Sequence, residues 1–149
     1  MNTILEQKIG FDKIRTLLKS RCVSPIGEEE VEKMVNLVID HFGTIDILVN
    51  NAGITKDGLL VRMSEEQYDA VIAVNQKSVF NMMKPVCALM MKQKHGAIVN
   101  MASVAGVYGN AKMSHYSTTK GAVISMTKAL AKEVTKKGVL VNCVSPGSV

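Results

Sequence analysis

The sequence predicts an α/β fold built on a doubly wound parallel sheet, and three observations point to it. Three short, apolar, β-branched runs sit between turn signals: Ile45-Asp-Ile-Leu-Val-Asn50, Gly96-Ala-Ile-Val-Asn-Met101 and Val139-Leu-Val-Asn-Cys-Val144. Such runs read as strands covered on both faces, as parallel sheets require. Stretches with helical spacing separate them, which implies βαβ units with right-handed crossovers. Each run also gives way to small or polar residues: Asn51-Ala52-Gly53, Ser103, and Ser145-Pro146-Gly147. Ligands of these sheets bind beyond the carboxyl ends of the strands, so the three places form a line of possible contact.

The elements follow in chain order. Ile4, Leu5, Ile9, Phe11, Ile14, Leu17 and Leu18 have a spacing close to helical over residues 4–22, interrupted by Gly10. Ser24-Pro25-Ile26-Gly27 punctuates the chain. A helix should start near Glu28, with Glu28, Glu29 and Glu30 in its first turn, where the helix dipole favours acids. Val31, Met34, Val35, Val38 and Ile39 give it an apolar face, and Gly43 ends it. After the first strand, Ser64-Glu65-Glu66-Gln67 is a capping box that opens a helix. The helical pattern continues through Asn75, a polar residue among apolar ones, to about Lys94, with Pro85 expected to kink it or remove one backbone bond. A Gly-containing loop should follow the second strand. The helix from Tyr116 to about Lys136 buries Ala122, Val123, Met126, Ala129, Leu130 and Val134 and stops at Gly138.

Composition narrows the function classes. A 149-residue chain is expected to form one domain that buries about 70% of its unfolded surface. With no Trp and ten Met, its core should be aliphatic and Met-rich. Cys22, Cys87 and Cys143 lie far apart and show no metal-ligand spacing, so no metal is expected and the thiols read as inert in a reducing compartment. The first residues lack the apolar core of a signal peptide, and no apolar run approaches the roughly 18 residues of a membrane span. A cytoplasmic protein with no membrane partner is the expectation. The net charge of +5 comes largely from Lys128, Lys132, Lys136 and Lys137, a stripe along one helix face. Arginine occurs only at 15, 21 and 62 and aromatics do not interleave with the lysines. A solvated helix face is therefore expected and no nucleic-acid partner.

The chemistry concentrates between Ser103 and Lys120. Tyr116 and Lys120 are four apart on a helix, hence on one face. A lysine ammonium beside a phenol favours the phenolate, and a tyrosine so tuned exchanges protons near neutral pH. A serine hydroxyl at the strand end opposite could hydrogen-bond the same substrate oxygen. Tyr-x-x-x-Lys alone is weak evidence, because Tyr108 and Lys112 match it too. That second pair spans Gly109 and Asn110 in a loop, where positions four apart need not share a face, and is discarded. Taken singly, Tyr116 and Lys120 would be a helix-surface pair, Asn75 a helix-kink satisfier and Ser103 a loop cap. Their ordered combination overturns those readings.

That combination is Asn-Asn-Ala-Gly after a strand, Asn75 in a helix, Ser103 at a strand end, Tyr116 thirteen residues later, Lys120, and Pro146-Gly147. It resembles the short-chain dehydrogenase/reductase family over about residues 28–149. Gly53-Ile-Thr-Lys-Asp-Gly-Leu-Leu60 and Arg62-Met63 are most similar to the family's beta-ketoacyl carrier-protein reductases. The resemblance implies a Rossmann-like sheet and hydride transfer between NADP or NAD and a carbonyl or alcohol, NADP being favoured by the subfamily. It implies a small-molecule or carrier-bound carbonyl substrate. Asn75, Ser103, Tyr116 and Lys120 would be the catalytic tetrad. Tyr116 would be the acid/base, Ser103 would hold the carbonyl oxygen, and Lys120 would bind the nicotinamide ribose and tune Tyr116. Asn75 would anchor a proton-relay water. Asn51, Ala52 and Gly53 would line the adenosine side of the cofactor, and Pro146 and Gly147 the nicotinamide side.

The sequence also departs from the family. The Thr-Gly-x-x-x-Gly-x-Gly turn that seats a pyrophosphate on a helix N-terminus is missing, since only Gly10, Gly27 and Gly43 precede Asn50. A family domain truncated at both ends is therefore expected at 28–149, preceded by a helical segment of different origin at 1–27. Leu5 to Gly27 resembles the start of a MutS-like DNA-repair family, without any ATPase motif. Without the family's first strand beside it, Ile45–Asn50 should be an apolar sheet edge that templates self-association. Homo-oligomers through the helices at 76–94 and 116–136 are expected. The competing expectation is a catalytically inactive fragment acting only through such association.

Overall fold

The computed structural model describes residues 27–147. The helical pattern of residues 4–22, Cys22 and the segment likened to the DNA-repair family lie outside the described residues.

Helix α1, Glu28–Phe42, begins with its three glutamates and ends at Gly43, whose φ of 78° suits a residue without a Cβ. Strand β1, Ile47–Asn50, follows. It starts two residues later than the apolar run because the Gln93 side chain occupies Ile45: its Oε1 accepts from Ile45 N–H at 3.3 Å and its Nε2 donates to Ile45 O at 3.0 Å. Helix α2, Glu65–Ile72, opens on the expected capping box. Gln67 N–H donates to Ser64 Oγ at 3.3 Å and Ser64 N–H to Gln67 Oε1 at 3.1 Å.

The long helical pattern that follows is interrupted. A π turn at Ala73–Lys77, centred on Asn75, separates α2 from helix α3, Ser78–Gln93. Helix α3 runs through Pro85 without a break. Strand β2, Gly96–Met101, leads to a four-residue helix α4, Ala105–Tyr108, in place of the expected loop. Helix α5, Ser114–Val134, ends in a 3-10 turn at Thr135–Lys137, before strand β3, Val139–Val144. Gly138 has no room for a side chain, as a Cβ there would lie 2.1 Å from the Lys94 carbonyl oxygen.

The three strands form a parallel sheet in the order β1-β2-β3, so β1 is an edge among the described residues. A parallel sheet with flanking helices is the Rossmann-like α/β arrangement expected from the sequence. Leu48, Ile98, Val139 and Val141 pack against Val31 and Val35 of α1, Val79, Met83, Val86 and Met90 of α3, and Val123 and Val134 of α5. The expectation of strands covered on both faces fails at the two outer strands. Ile47 and Val49 are 50% and 42% exposed, and Leu140 and Val144 57% and 48%. Among the described residues every helix packed on the sheet covers the other face, so alternate side chains of β1 and β3 meet solvent.

Two polar devices hold the strands in register. Inside the core, Asn50 Nδ2 donates to Asn100 Oδ1 at 2.8 Å, and Asn100 Nδ2 donates to Thr127 Oγ1 at 2.9 Å. At the amino ends of the strands, His95 Nε2 lies 2.8 Å from Asp46 Oδ1. The bond to Asp46, then one to the Gln93 carbonyl, holds the His95 imidazolium above the ordinary histidine range. The proton-linked support is thus fully present below about pH 6.5, the unfolded value, and lost as pH rises through the folded one. We expect the NMR titration of His95 to centre above that of free histidine and to return to it in Asp46→Asn. An unchanged midpoint in that variant would discard the pairing.

Candidate active site

The carboxyl ends of the strands gather most of the expected site residues. β1 ends at the buried Asn50, and Asn51, Ala52 and Gly53 follow in an exposed loop. A Cβ placed on Gly53 would lie 3.5 Å from both Asn75 Oδ1 and Lys120 Nζ, so this glycine fits between those two side chains. Asn75 is completely buried. Its Oδ1 accepts from Ile54 N–H at 2.7 Å, and its Nδ2 donates to Ile54 O at 2.9 Å and Thr119 Oγ1 at 3.4 Å. The π turn thus carries an amide that staples the loop after β1 to the helix layer, rather than one that satisfies its own helix.

Lys120 lies on α5, one turn past Tyr116, and is almost fully buried. Its Nζ donates to the Met101 carbonyl, the last of β2, at 2.6 Å, and sits 5.7 Å from the centre of the Tyr116 ring. Burial lowers the lysine pKa. An ammonium has three donors, so two remain for other partners. The Tyr116 phenol makes no hydrogen bond among the described residues. Ser103, two residues past β2, accepts from Ala105 N–H at 3.2 Å through its Oγ, which leaves the hydroxyl proton free to donate.

Beyond β2 and β3 the pairing continues: Ala102 N–H donates to Val144 O at 2.8 Å and Val104 N–H to Pro146 O at 3.1 Å. Pro146 is therefore held beside the Ser103–Val104 peptide. A Cβ on Gly147 would reach Val104 Cγ1 at 3.9 Å. Asn51 and Ala52 point into the open, and Asn51 makes no side-chain hydrogen bond among the described residues. Tyr108 is 85% exposed at the end of α4, and Lys112 lies in a turn at φ 65°, so the discarded pair stays outside this cluster. Sequence reasoning missed Thr119, whose Oγ1 donates to Tyr116 O at 2.7 Å while receiving Asn75. Its place three residues after Tyr116 was the only signal. The described residues contain no cluster of three or more His, Cys, Asp or Glu side chains that could hold a metal ion, and no helix long and apolar enough to cross a membrane.

A parallel α/β sheet with this polar cluster at its carboxyl edge defines the class. The short chain dehydrogenase profile matches residues 23–149, and the chain belongs to that family. It is 50% identical over 121 residues to the 3-oxoacyl-[acyl-carrier-protein] reductase FabG of Thermotoga maritima, covering 81% of this chain and 49% of that protein. The same reductase of Vibrio cholerae is 43% identical over 131 residues, covering 88% of this chain and 54% of its own. Among solved structures, a Tyr→Phe variant of ElxO with NADPH bound superposes with a TM-score of 0.80 at 38% identity, covering 83% of this chain and 50% of that one. The chain spans about half the length of the curated relatives it matches.

Proposed function

We propose that the chain carries the carbonyl-reducing site of an NAD(P)-dependent oxidoreductase of the 3-oxoacyl-[acyl-carrier-protein] reductase type. The observation that carries this reading is the buried Lys120 ammonium, set between Gly53, Asn75 and the Tyr116 ring at the carboxyl edge of the sheet. Similarity to the named reductases and to the NADPH-bound ElxO variant supports the substrate class and NADPH over NADH.

The fit of the cofactor is local. The bare Gly53 and the two unused donors of Lys120 suit the ribose next to a nicotinamide. Pro146 and Gly147, held against Val104, would border the ring, and Asn51 and Ala52 the adenosine side. Among the described residues no glycine-rich turn opens a helix to receive a pyrophosphate. When bound, NADPH supplies the hydride. Tyr116 donates its phenolic proton to the carbonyl oxygen, and Ser103, one of its lone pairs taken by Ala105 N–H, donates a second hydrogen bond to that oxygen. Lys120 offsets the negative charge left on the phenol. Asn75 holds the loop after β1 through Ile54 and anchors a water that returns a proton to Tyr116.

We place the family domain at residues 28–149 with a segment of different origin before it; the family match supports the domain and, beginning at residue 23, reaches five residues into that segment. We place the protein in the cytoplasm, as a homo-oligomer. The outer surfaces of α3 and α5 support that assembly, where Phe80, half exposed, borders a groove with Ile72 and Met126.

The second reading is a catalytically inactive fragment that only self-associates, favoured by the exposed edge of β1 and the open sheet face. Titration with NADPH and NADH, followed by nicotinamide fluorescence, separates the two. The enzyme reading expects NADPH to bind and then be oxidised at 340 nm by a 3-oxoacyl thioester. If neither nucleotide binds at millimolar concentration, the second reading stands.

A further inference from the structure

We propose that Gly106 is a positioning residue that sets the spacing between Ser103 and the Tyr116–Lys120 turn. The inference rests on the reading of those three residues as one site, and goes beyond it by naming what fixes their separation.

Two backbones meet at this point. A Cβ on Gly106 would lie 2.6 Å from Gly121 N, 2.6 Å from Lys120 C and 2.8 Å from Lys120 Cβ. Real Cβ atoms do not approach backbone so closely. In the reverse direction, a Cβ on Gly121 would meet only the Gly106 carbonyl oxygen, at 3.1 Å. Helix α4 thus rests directly on the turn of α5 that carries Lys120, and only a glycine at 106 permits the contact.

Ser103 is rigidly joined to that seat. Its carbonyl accepts from Gly106 N–H at 2.9 Å and its Oγ from Ala105 N–H at 3.2 Å. Val107 N–H and Tyr108 N–H both donate to Val104 O at 3.0 Å. Ala105 is buried beneath. Serine, short helix and seat therefore form one block, tied to β3 through Val104 and Pro146 and pressed on α5 through Gly106. A methyl group at 106 must displace either the block or the turn by roughly an ångström, a scale of misplacement that costs about 100-fold in rate when reacting groups are aligned. The same displacement uncovers the buried Lys120.

The test is a comparison of Gly106→Ala and Gly121→Ala with the parent chain. The first readout is the rate at which acetic anhydride modifies Lys120, followed by peptide mass mapping, and it needs neither cofactor nor turnover. Gly106→Ala should label Lys120 about tenfold faster, as expected for a locally opened site, with the remaining lysines unchanged. Gly121→Ala, whose clash is milder, should fall between it and the parent. In the active protein, Gly106→Ala should lower kcat for the thioester about 100-fold. Faster labelling of Gly106→Ala than of a parent that proves inactive would uphold the seat while removing the enzyme reading. Unchanged Lys120 labelling in folded Gly106→Ala overturns the proposal. If that variant does not fold, parent-like labelling in Gly121→Ala overturns it instead.

Discussion

Tyr116→Phe is expected to lower kcat/KM for NADPH-dependent reduction of a 3-oxoacyl thioester by about 1000-fold, within the range of a lost general acid. Phenylalanine keeps the ring 5.7 Å from the Lys120 ammonium, so α5 and its packing should be undisturbed. On the proposed mechanism, what disappears is the proton that the carbonyl oxygen would receive as the hydride arrives. NADPH affinity, read by fluorescence, should stay within about threefold of the parent, because loss of a group used only in the transition state lowers kcat rather than ground-state binding. Tyr108→Phe is the matched control: that ring is exposed at the end of α4, and its activity should equal the parent's. Comparable rates for both variants would remove Tyr116 from the chemistry.

The largest expected effect on stability comes from Asn100→Ala. Asn100 is fully buried in the central strand and accepts from Asn50 on one side while donating to Thr127 on the other, with Met83 Sδ at 3.3 Å from the same amide nitrogen. Alanine removes all three contacts, leaves the Asn50 amide without its acceptor and opens a cavity. Stranding one buried donor costs about 1–3 kcal/mol, so with the cavity the total should reach about 3 kcal/mol. Urea unfolding followed by circular dichroism measures this directly. A loss below about 1 kcal/mol would mean that water or a shifted Asn50 replaces the bond. Because Asn50 is the last residue of β1, the same variant should also loosen the Asn51–Gly53 loop, read as faster amide exchange there.

The strands and helices were largely legible because their signals are local. The capping box at Ser64, Gly43 at the end of α1 and the apolar runs of β1–β3 each act within a few residues. The covering of the sheet was not legible in the same way. An alternating contribution to a core and a fully buried strand both read as Ile-Leu-Val, so Ile47 and Val49 gave no hint that they face solvent. The π turn around Asn75 was visible only as a polar residue among apolar ones, and its tie to Ile54 depends on a loop 21 residues away in sequence. Of the candidate site, the shared helix face of Tyr116 and Lys120 was readable from their spacing, whereas the place of Gly53 between Asn75 and Lys120 was not, because it depends on contacts between a loop and two helices. The seat at Gly106 was hidden, since a glycine in a predicted loop reads as a turn rather than as the contact surface of two helices.

The topology has a consequence for how the chain is made. Among the described residues each strand pairs with the next one in the chain, but only across a long crossover: Ile47 matches Ala97, and Gly96 matches Val139. Each rung therefore closes a loop of more than forty residues before any rung rewards it, which places folding among slow, non-local topologies. During synthesis at about 5–20 residues per second, β1 leaves the ribosome roughly 3–10 s before its partner exists. Through that interval Ile47–Asn50 lacks the strand it pairs with among the described residues. Yield should thus respond to elongation rate and to chaperones that hold unpaired strands, more than to the final stability of the sheet.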